Sequence, residues 1–195
     1  MIAIIDYGVG NLFSLRSSLA YLGLESKITG DPDEIRAADK IILPGVGAFG
    51  DAMQKLVDTG LVPLIREEVQ KKPLLGICLG MQLLFDESCE YGRHEGLGFV
   101  SGKIASLAED LEDKSLKVPH IGWNALKIAK DDPLFKYVKD GEYVYTSTAF
   151  TARTAWSPPW PPANTASPSP ALCGRAWCGA PSSTRKRAAT PACVC

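Results

Sequence analysis

Short apolar runs alternate with amphipathic segments along the first 145 residues of the chain. Four of the runs predict β-strands, at Ile2–Ile5, Leu24–Thr29, Lys40–Leu43 and Leu74–Ile77. The segments between them predict helices, one from Asn11 to Gly23 and others at Asp51–Thr59, Val62–Lys71 and Leu79–Phe85. Strands separated by helices of about 10–15 residues predict an α/β domain with an open, mostly parallel sheet flanked by helices.

The pattern changes after Gly96, where short strand-like segments replace the helices. They lie at Gly98–Ile104, Ile121–Ile128 and Tyr143–Tyr145, and we expect them to form a β-rich extension of the sheet. In open α/β sheets the functional groups lie beyond the carboxyl ends of the strands. The loops with that position are residues 6–11, 44–50 and 77–80.

A change of composition at Tyr145 divides the chain into two parts. The 195 residues carry 21 Lys and Arg against 22 Asp and Glu, and 16 of the basic and all 22 of the acidic residues lie in the first 145. Residues 146–195 hold 5 basic residues, no acid, 8 of the 14 prolines and 4 of the 6 cysteines. We therefore predict a domain at 1–145 and an aberrant, largely disordered Pro/Ala/Arg-rich tail at 146–195.

Charge and spacing exclude several classes of function. A net charge of −1 gives no electrostatic basis for a nucleic-acid or membrane-surface partner. The chain has no apolar run of bilayer length and no signal peptide, so we expect a cytoplasmic protein. The Gly8-Val9-Gly10 pair lacks the third glycine of a dinucleotide fingerprint, and Cys78 and Cys89 do not have metal-ligand spacing. We therefore predict no cofactor and no metal.

The strongest chemical signal is Gly76-Ile77-Cys78-Leu79-Gly80, which joins an apolar strand directly to a predicted helix. It is the nucleophile-elbow pattern with sulfur in place of oxygen, in which small residues two before and two after the nucleophile allow a strained turn. The helix N-terminus favours a thiolate. A buried structural cysteine is the alternative. The two glycines at the required offsets favour a nucleophile at Cys78.

A thiol that attacks an amide needs donors for the oxyanion that develops. The backbone N–H of Leu79, directly after the nucleophile, is one candidate. The loop Gly45-Val46-Gly47 at the end of the preceding strand is the other, because its glycines let an amide turn towards the site. Taken alone this loop is an ordinary βα turn. Paired with the elbow, it is a candidate half of an oxyanion hole.

Four segments together resemble one enzyme family. They are Ile5-Asp6-Tyr7-Gly8-Val9-Gly10-Asn11, Leu43-Pro44-Gly45-Val46-Gly47, Gly76-Ile77-Cys78-Leu79-Gly80-Met81-Gln82 and Pro119-His120-Ile121-Gly122-Trp123-Asn124. In this order they resemble the glutaminase subunit of imidazole glycerol phosphate synthase, a class I glutamine amidotransferase of histidine biosynthesis. The elbow is shared by the whole class, whereas the first and last segments are typical of this subfamily. The resemblance covers residues 1–145.

The resemblance implies a flavodoxin-like fold and hydrolysis of glutamine through a thioester on Cys78. It implies that the ammonia is channelled to a cyclase subunit, a (βα)₈-barrel, in a heterodimer. By the same match, Leu79 and the Gly45–Gly47 loop form the oxyanion hole and Gln82 contacts glutamine. The residues in segments that would face the cyclase are Asn11, Trp123 and Asn124.

Two members of the family's catalytic triad have no counterpart in the chain. The family takes a histidine base and an orienting glutamate from a His-Pro-Glu-Lys-Ser segment near the C-terminus. This chain has only His94 and His120, neither in that context, and no His or Glu follows Tyr145. We therefore expect the C-terminal part of the fold to be missing or aberrant.

We hypothesise that a shift of reading frame near codon 145, by one base lost or two gained, produced the tail. Codons exist for Pro181–Ala188 that read Gln-Phe-His-Pro-Glu-Lys-Ser in a neighbouring frame. The same shift on Thr146–Thr151 permits Phe-His-Ser-Phe-Tyr, another segment of the family. A genuine tail whose four cysteines bind metal is the alternative, although their spacing fits no common zinc module.

Two functions stay open from the sequence. One is the glutaminase activity of the family; the other is an inactive fragment or a partner-binding scaffold, because loss of a general base costs about 10²–10⁴ in rate. A third, an amidotransferase that serves another synthase, is disfavoured by Met81, where several relatives have histidine, and by Gly122-Trp123-Asn124.

Overall fold

The computed structural model describes residues 1–111, 115–128 and 135–153. Its elements in chain order are β1 (Ile2–Ile5), α1 (Leu12–Tyr21), β2 (Ser26–Thr29), α2 (Pro32–Ala37), β3 (Lys40–Leu43), α3 (Phe49–Asp58), α4 (Val62–Glu68), β4 (Leu74–Gly76), α5 (Leu79–Gln82), β5 (Phe85–Ser88), β6 (His94–Glu95), β7 (Val100–Ser106), α6 (Leu107–Asp110), β8 (His120–Ala125), β9 (Tyr143–Thr148) and β10 (Phe150–Arg153).

The first four strands form one sheet in the order β2-β1-β3-β4, and every pair in it is parallel. Successive side chains of a strand point to opposite faces, so each strand contributes to two apolar layers. Ile4 and Ile42 pack in one cluster with Leu19 of α1, whereas Ile5 and Ile41 belong to a larger cluster that includes residues of α3 and α4. The predicted parallel sheet flanked by helices is confirmed.

Polar caps begin two of the helices. The Asn11 side chain accepts from the N–H of Ser14 at 3.3 Å, as expected for the predicted N-cap of α1. Asp31 caps α2 by accepting from the N–H groups of Asp33 and Glu34. Helix α2 was not predicted from the sequence, although an aspartate followed by proline at the first helical position is a recognisable start signal.

The segments after α5 form two further sheets and do not extend the first one. One sheet has the order β10-β7-β5-β6, and the other is an antiparallel ribbon of β8 and β9. The physical reason is the length of α5, which spans four residues and ends at Gln82 rather than near Phe85. A parallel crossover needs a dozen residues or more, so β5 cannot return to pair beside β4.

The strands β9 and β10 extend beyond the predicted end of the domain. Thr146 pairs with Gly122 in the ribbon, and Phe150–Arg153 pairs with Lys103–Ser106 of β7. The expectation of a largely disordered segment from residue 146 is therefore wrong for residues 146–153. The rest of the predicted tail, residues 154–195, lies outside the described residues.

A buried ion pair links α4 to α2. Lys72 donates to a Glu68 carboxylate oxygen at 2.7 Å and to the carbonyl oxygens of Ile35 and Arg36 at 3.0 and 2.7 Å. Both charged side chains are nearly inaccessible to solvent. Lys72 therefore satisfies the C-terminal carbonyls of α2 as well as the Glu68 charge. Burial raises the pKa of Glu68, but hydrogen bonds from Lys72 and Lys71 outweigh it and hold the pKa below its ordinary value.

Removal of Lys72 is expected to be strongly destabilising. Lys72→Met leaves the buried Glu68 charge with only Lys71 as a partner and removes the donor to two α2 carbonyls, which together cost about 3–5 kcal/mol in the free energy of unfolding. The measurement is urea unfolding, with Lys71→Met as the control because Lys71 is half exposed. Equal destabilisation by the two variants would contradict the assignment.

The Glu68–Lys72 ion pair makes the free energy of unfolding depend on pH. Because the pKa of Glu68 is lowered in the folded state, its contribution to stability is present above its unfolded pKa and is lost as pH falls through the folded one.

Candidate active site

The chain turns sharply at Cys78, between β4 and α5. Its φ of 54° and ψ of −121° lie in a region that residues other than glycine rarely adopt. Such strain is typical of a nucleophile elbow, where it lifts the side chain out of the sheet. The Cys78 side chain is accordingly exposed.

The two glycines of the elbow are required by close backbone contacts. A Cβ at Gly80 would lie 2.0 Å from the carbonyl oxygen of Leu43. A Cβ at Gly76 would lie 2.5 Å from the Cα of Met81. Real Cβ atoms do not approach backbone so closely, so any larger residue at either position would displace β4, α5 or the end of β3. The predicted role of the two glycines is therefore supported by the geometry.

The loop after β3 lies directly against the elbow. A Cβ at Gly45 would be 2.5 Å from the backbone nitrogen of Gly80. The buried Tyr7 hydroxyl donates to the carbonyl oxygen of Pro44 at 2.7 Å, and burial raises the pKa of this phenol well above its ordinary value. A Cβ at Gly10 would be 2.9 Å from the Pro44 side chain. The loops 6–11, 44–50 and 77–80, which were expected at the carboxyl ends of the strands, are therefore in contact.

The two segments predicted to supply the oxyanion donors lie next to each other at this contact. Leu79 is the first residue of α5, and the first N–H groups of a helix have no partner within it. Across from it, Val46 is exposed and Gly47 has a φ of 92°, so the peptides of this loop adopt a conformation that glycine permits. The arrangement brings the two predicted halves of an oxyanion hole to one edge of the sheet.

Gln82 lies at the end of α5, where its N–H donates to the Cys78 carbonyl oxygen at 3.2 Å. Its side chain is half-buried. The four-residue helix thus places Gln82 one turn from the thiol.

The residues predicted to face a partner lie on two elements, α1 and β8. Asn11 is exposed at the start of α1, and Trp123 is exposed on β8. Asn124 is half-buried and contacts His120 and the Thr146 hydroxyl. Because neighbouring residues of a strand face opposite sides, Trp123 and Asn124 cannot present their side chains to the same surface. Of the two, Trp123 is the outward-facing residue.

Glu90, twelve residues after Cys78, carries no signal in the sequence and was not among the predicted site residues. Its carboxylate accepts from the N–H of Phe49, the first residue of α3, at 2.7 Å. His94 of the same β5–β6 hairpin packs on the next residue of α3: a Cβ at Gly50 would be 2.6 Å from the His94 ring. No motif marks either residue, because the contacts depend on how the β5–β6 hairpin folds back onto α3.

Within residues 1–111, 115–128 and 135–153, no cluster of three or more His, Cys, Asp or Glu side chains is arranged to hold a metal ion. The same described residues include no helix long and apolar enough to cross a membrane.

The chain matches the family model of the class-I glutamine amidotransferases over residues 3–160. It therefore belongs to the class-I glutamine amidotransferase family, the class that the elbow and the sheet topology define.

Curated relatives narrow the family further. Subunit HisH of imidazole glycerol phosphate synthase from Sulfurimonas denitrificans is 49% identical over 146 residues, which cover 74% of this chain and 70% of the relative. The HisH subunit from Caldanaerobacter subterraneus subsp. tengcongensis is 51% identical over the same shares. Within the class, the chain belongs to the family of HisH glutaminase subunits of imidazole glycerol phosphate synthase.

Solved structures support the fold. A glutamine amidotransferase superposes with a TM-score of 0.60 at 17% identity, over 79% of this chain and 75% of that one. PurLQS from Thermotoga maritima superposes with a TM-score of 0.55 at 19% identity, over 78% and 68%. At such low identity the likeness is one of fold.

Gly80→Ala is expected to disrupt the site, because its methyl group would collide with the end of β3. We expect destabilisation of about 1–3 kcal/mol or more, together with altered Cys78 alkylation by iodoacetamide. Gly122→Ala is the control, since a Cβ there meets nothing within 4 Å. Thermal unfolding and thiol alkylation measure both effects; a Gly80→Ala variant that behaves like Gly122→Ala would contradict the close packing.

Proposed function

We propose that this chain is a glutaminase subunit that releases ammonia from glutamine for imidazole glycerol phosphate synthesis in histidine biosynthesis. The observation that carries the proposal is the exposed Cys78 on a strained elbow, against which the Gly45–Gly47 loop packs. The identity to HisH subunits supports the choice of this reaction among those of the class.

The chemistry is an acyl transfer in two steps. The Cys78 thiolate adds to the γ-carbonyl carbon of glutamine, and the carbonyl oxygen takes up negative charge. The amide nitrogen of this intermediate then accepts a proton, the C–N bond breaks, ammonia leaves and a thioester remains. Water hydrolyses the thioester to glutamate and regenerates the thiol. The N–H of Leu79 and an amide of the Gly45–Gly47 loop stabilise the oxyanion in both steps, while Gln82 contacts the substrate.

Proton transfer is the step for which this chain lacks its family's residues. The described residues His94 and His120 are the only histidines of the sequence. The His94 ring packs on Gly50 and His120 contacts Asn124, so neither histidine is in the sequence context or the contacts expected for the family's base. The alternative function is therefore an inactive fragment or a scaffold that only binds the cyclase. The absence of His and Glu after Tyr145 favours this alternative for the chain as it stands.

The β8–β9 ribbon offers the surface for the cyclase. One of its faces carries exposed aromatic and aliphatic side chains: Ile121, Trp123, Tyr143 and Tyr145. Trp123 and Tyr145 are directly paired and pack edge to face, with their ring centroids 5.7 Å apart. Exposed apolar patches of this kind are typical of protein interfaces, where tryptophan and tyrosine carry much of the binding energy. We propose that this face docks on the (βα)₈-barrel subunit, with Asn11 contributing from the start of α1.

The activity prediction compares two chains. With glutamine and the cyclase subunit, the chain whose reading frame is restored after codon 145 should release glutamate, and the chain as it stands should do so about 10²–10⁴-fold more slowly. Cys78→Ala in the restored chain should abolish release. Equal turnover by the two chains would contradict the role given to the missing base, and turnover that survives Cys78→Ala would overturn the proposal.

The frameshift itself is tested by the gene. Sequencing across codons 140–150 in independent isolates of the source should reveal one base lost or two gained in this chain's gene. An unshifted frame there in every isolate would overturn the frameshift.

The docking prediction concerns Trp123. Trp123→Ala should weaken the complex with the cyclase by about 2 kcal/mol, or roughly 30-fold in Kd, as measured by calorimetry. Tyr91→Ala is the matched control, because Tyr91 is also an exposed aromatic residue but lies on the β5–β6 hairpin, away from the ribbon. Equal losses for both variants would rule out the ribbon as the specific interface.

A further inference from the structure

We infer that Glu90 is a positioning residue for the oxyanion hole: its carboxylate holds the N-terminus of α3 and thereby fixes the Gly45–Gly47 loop. The inference rests on the proposed function, since the loop acts as an oxyanion donor only if Cys78 attacks a carbonyl. Glu90 would thus act on catalysis indirectly, through the backbone of the β3–α3 loop.

The start of α3 lacks a cap of its own. Its N-cap residue is Ala48, whose side chain has no acceptor and makes no capping hydrogen bond. The N–H of Phe49 instead donates to Glu90 Oε2 at 2.7 Å, across 41 residues of sequence. A carboxylate at this position also interacts favourably with the positive end of the ten-residue helix. The cap that is absent locally is therefore supplied by the β5–β6 hairpin.

Glu90 is itself held in place. Its N–H donates to the hydroxyl of Ser88, which is fully buried. His94 of the same hairpin lies against Gly50, and its ring centroid is 6.5 Å from that of the buried Phe49. The hairpin thus contacts the first two residues of α3, one by a hydrogen bond and the other by packing.

The loop between β3 and α3 is fixed at both of its ends. At its beginning, the Tyr7 hydroxyl donates to Pro44 and Gly45 packs on Gly80. At its end, Glu90 accepts from Phe49. Between these points lie the exposed Val46 and Gly47; Gly47 has a positive φ and no side chain, so its backbone can change conformation at little cost if either end is released. An oxyanion donor must be pre-organised to be effective, so release of the Glu90 end should weaken it.

The test uses labelling of Cys78 and does not require turnover. The probe is the chloromethyl ketone analogue of glutamine: the Cys78 thiolate forms an S–C bond as the C–Cl bond breaks and chloride leaves, while negative charge builds on the adjacent ketone oxygen. Iodoacetamide is the comparison, because its displacement needs no oxyanion hole. Both rates are measured on the full chain at one alkaline pH, with the concentration dependence separating the maximal rate from the apparent affinity.

Glu90→Ala should lower the maximal labelling rate by the analogue about tenfold, less than the 10²–10³ expected for complete loss of an oxyanion donor. The apparent affinity and the iodoacetamide rate should not change. Glu90→Gln, which keeps an oxygen acceptor for Phe49, should restore most of the rate. Glu95→Ala is the control, because Glu95 is an exposed carboxylate of the same hairpin. Amide exchange at Phe49 should accelerate in Glu90→Ala and remain slow in Glu90→Gln.

Three results would overturn the inference. They are an unchanged maximal rate in Glu90→Ala, a loss confined to apparent affinity, and a failure of Glu90→Gln to restore the rate; the last two would assign the carboxylate to direct contact with the substrate. If Glu90→Ala does not fold, Glu90→Asp replaces it, since a side chain shorter by one methylene should lose the contact in part and give an intermediate rate. A wild-type chain labelled no faster by the analogue than by chloroacetone would refute the proposed function instead.

Discussion

The backbone contact between the end of β3 and the elbow after β4 is the constraint on which the rest of the site depends. β3 and β4 are adjacent parallel strands, so their carboxyl ends emerge side by side, about 4.8 Å apart. The elbow turns back over this edge, and Gly80 comes so close to Leu43 that a single Cβ would overlap its carbonyl oxygen. Only glycine permits that approach. The exposed thiol and both candidate oxyanion donors follow from it.

The surrounding elements stabilise this contact by packing and by hydrogen bonds. The large apolar cluster includes Leu43 and Leu79, so the end of β3 and the start of α5 are anchored in one core. In addition, the Pro44 carbonyl oxygen accepts from the buried Tyr7 and the start of α3 is held by Glu90. A strained residue such as Cys78 persists only where its surroundings over-determine its conformation. Here apolar packing and hydrogen bonds together supply that restraint.

The sequence predicted the elements whose signals are local. Apolar runs located β1, β3 and β4 with little error, and the spacing of Gly76 and Gly80 around Cys78 was sufficient to predict the elbow. Failures occurred where the outcome depended on distant partners. Whether β5 joins the first sheet depends on the length of α5, and the role of Glu90 depends on a hairpin that reaches residue 49. Neighbouring residues of a strand point to opposite faces, so the opposite orientations of Trp123 and Asn124 could have been predicted, but only once the segment was known to be a strand.

The order of residues 146–153 is compatible with a frameshift at codon 145. Pairing between strands uses backbone groups, so it depends on side chains only through burial and β-propensity. Thr146 and Thr151 are buried, and threonine suits a strand in either role; Ala152 is small enough to enter the core. An out-of-frame segment that happens to contain threonine and alanine at these positions can therefore complete β9 and β10. Catalysis is less permissive, because it requires imidazole and carboxylate groups at defined points, and strand pairing does not supply them.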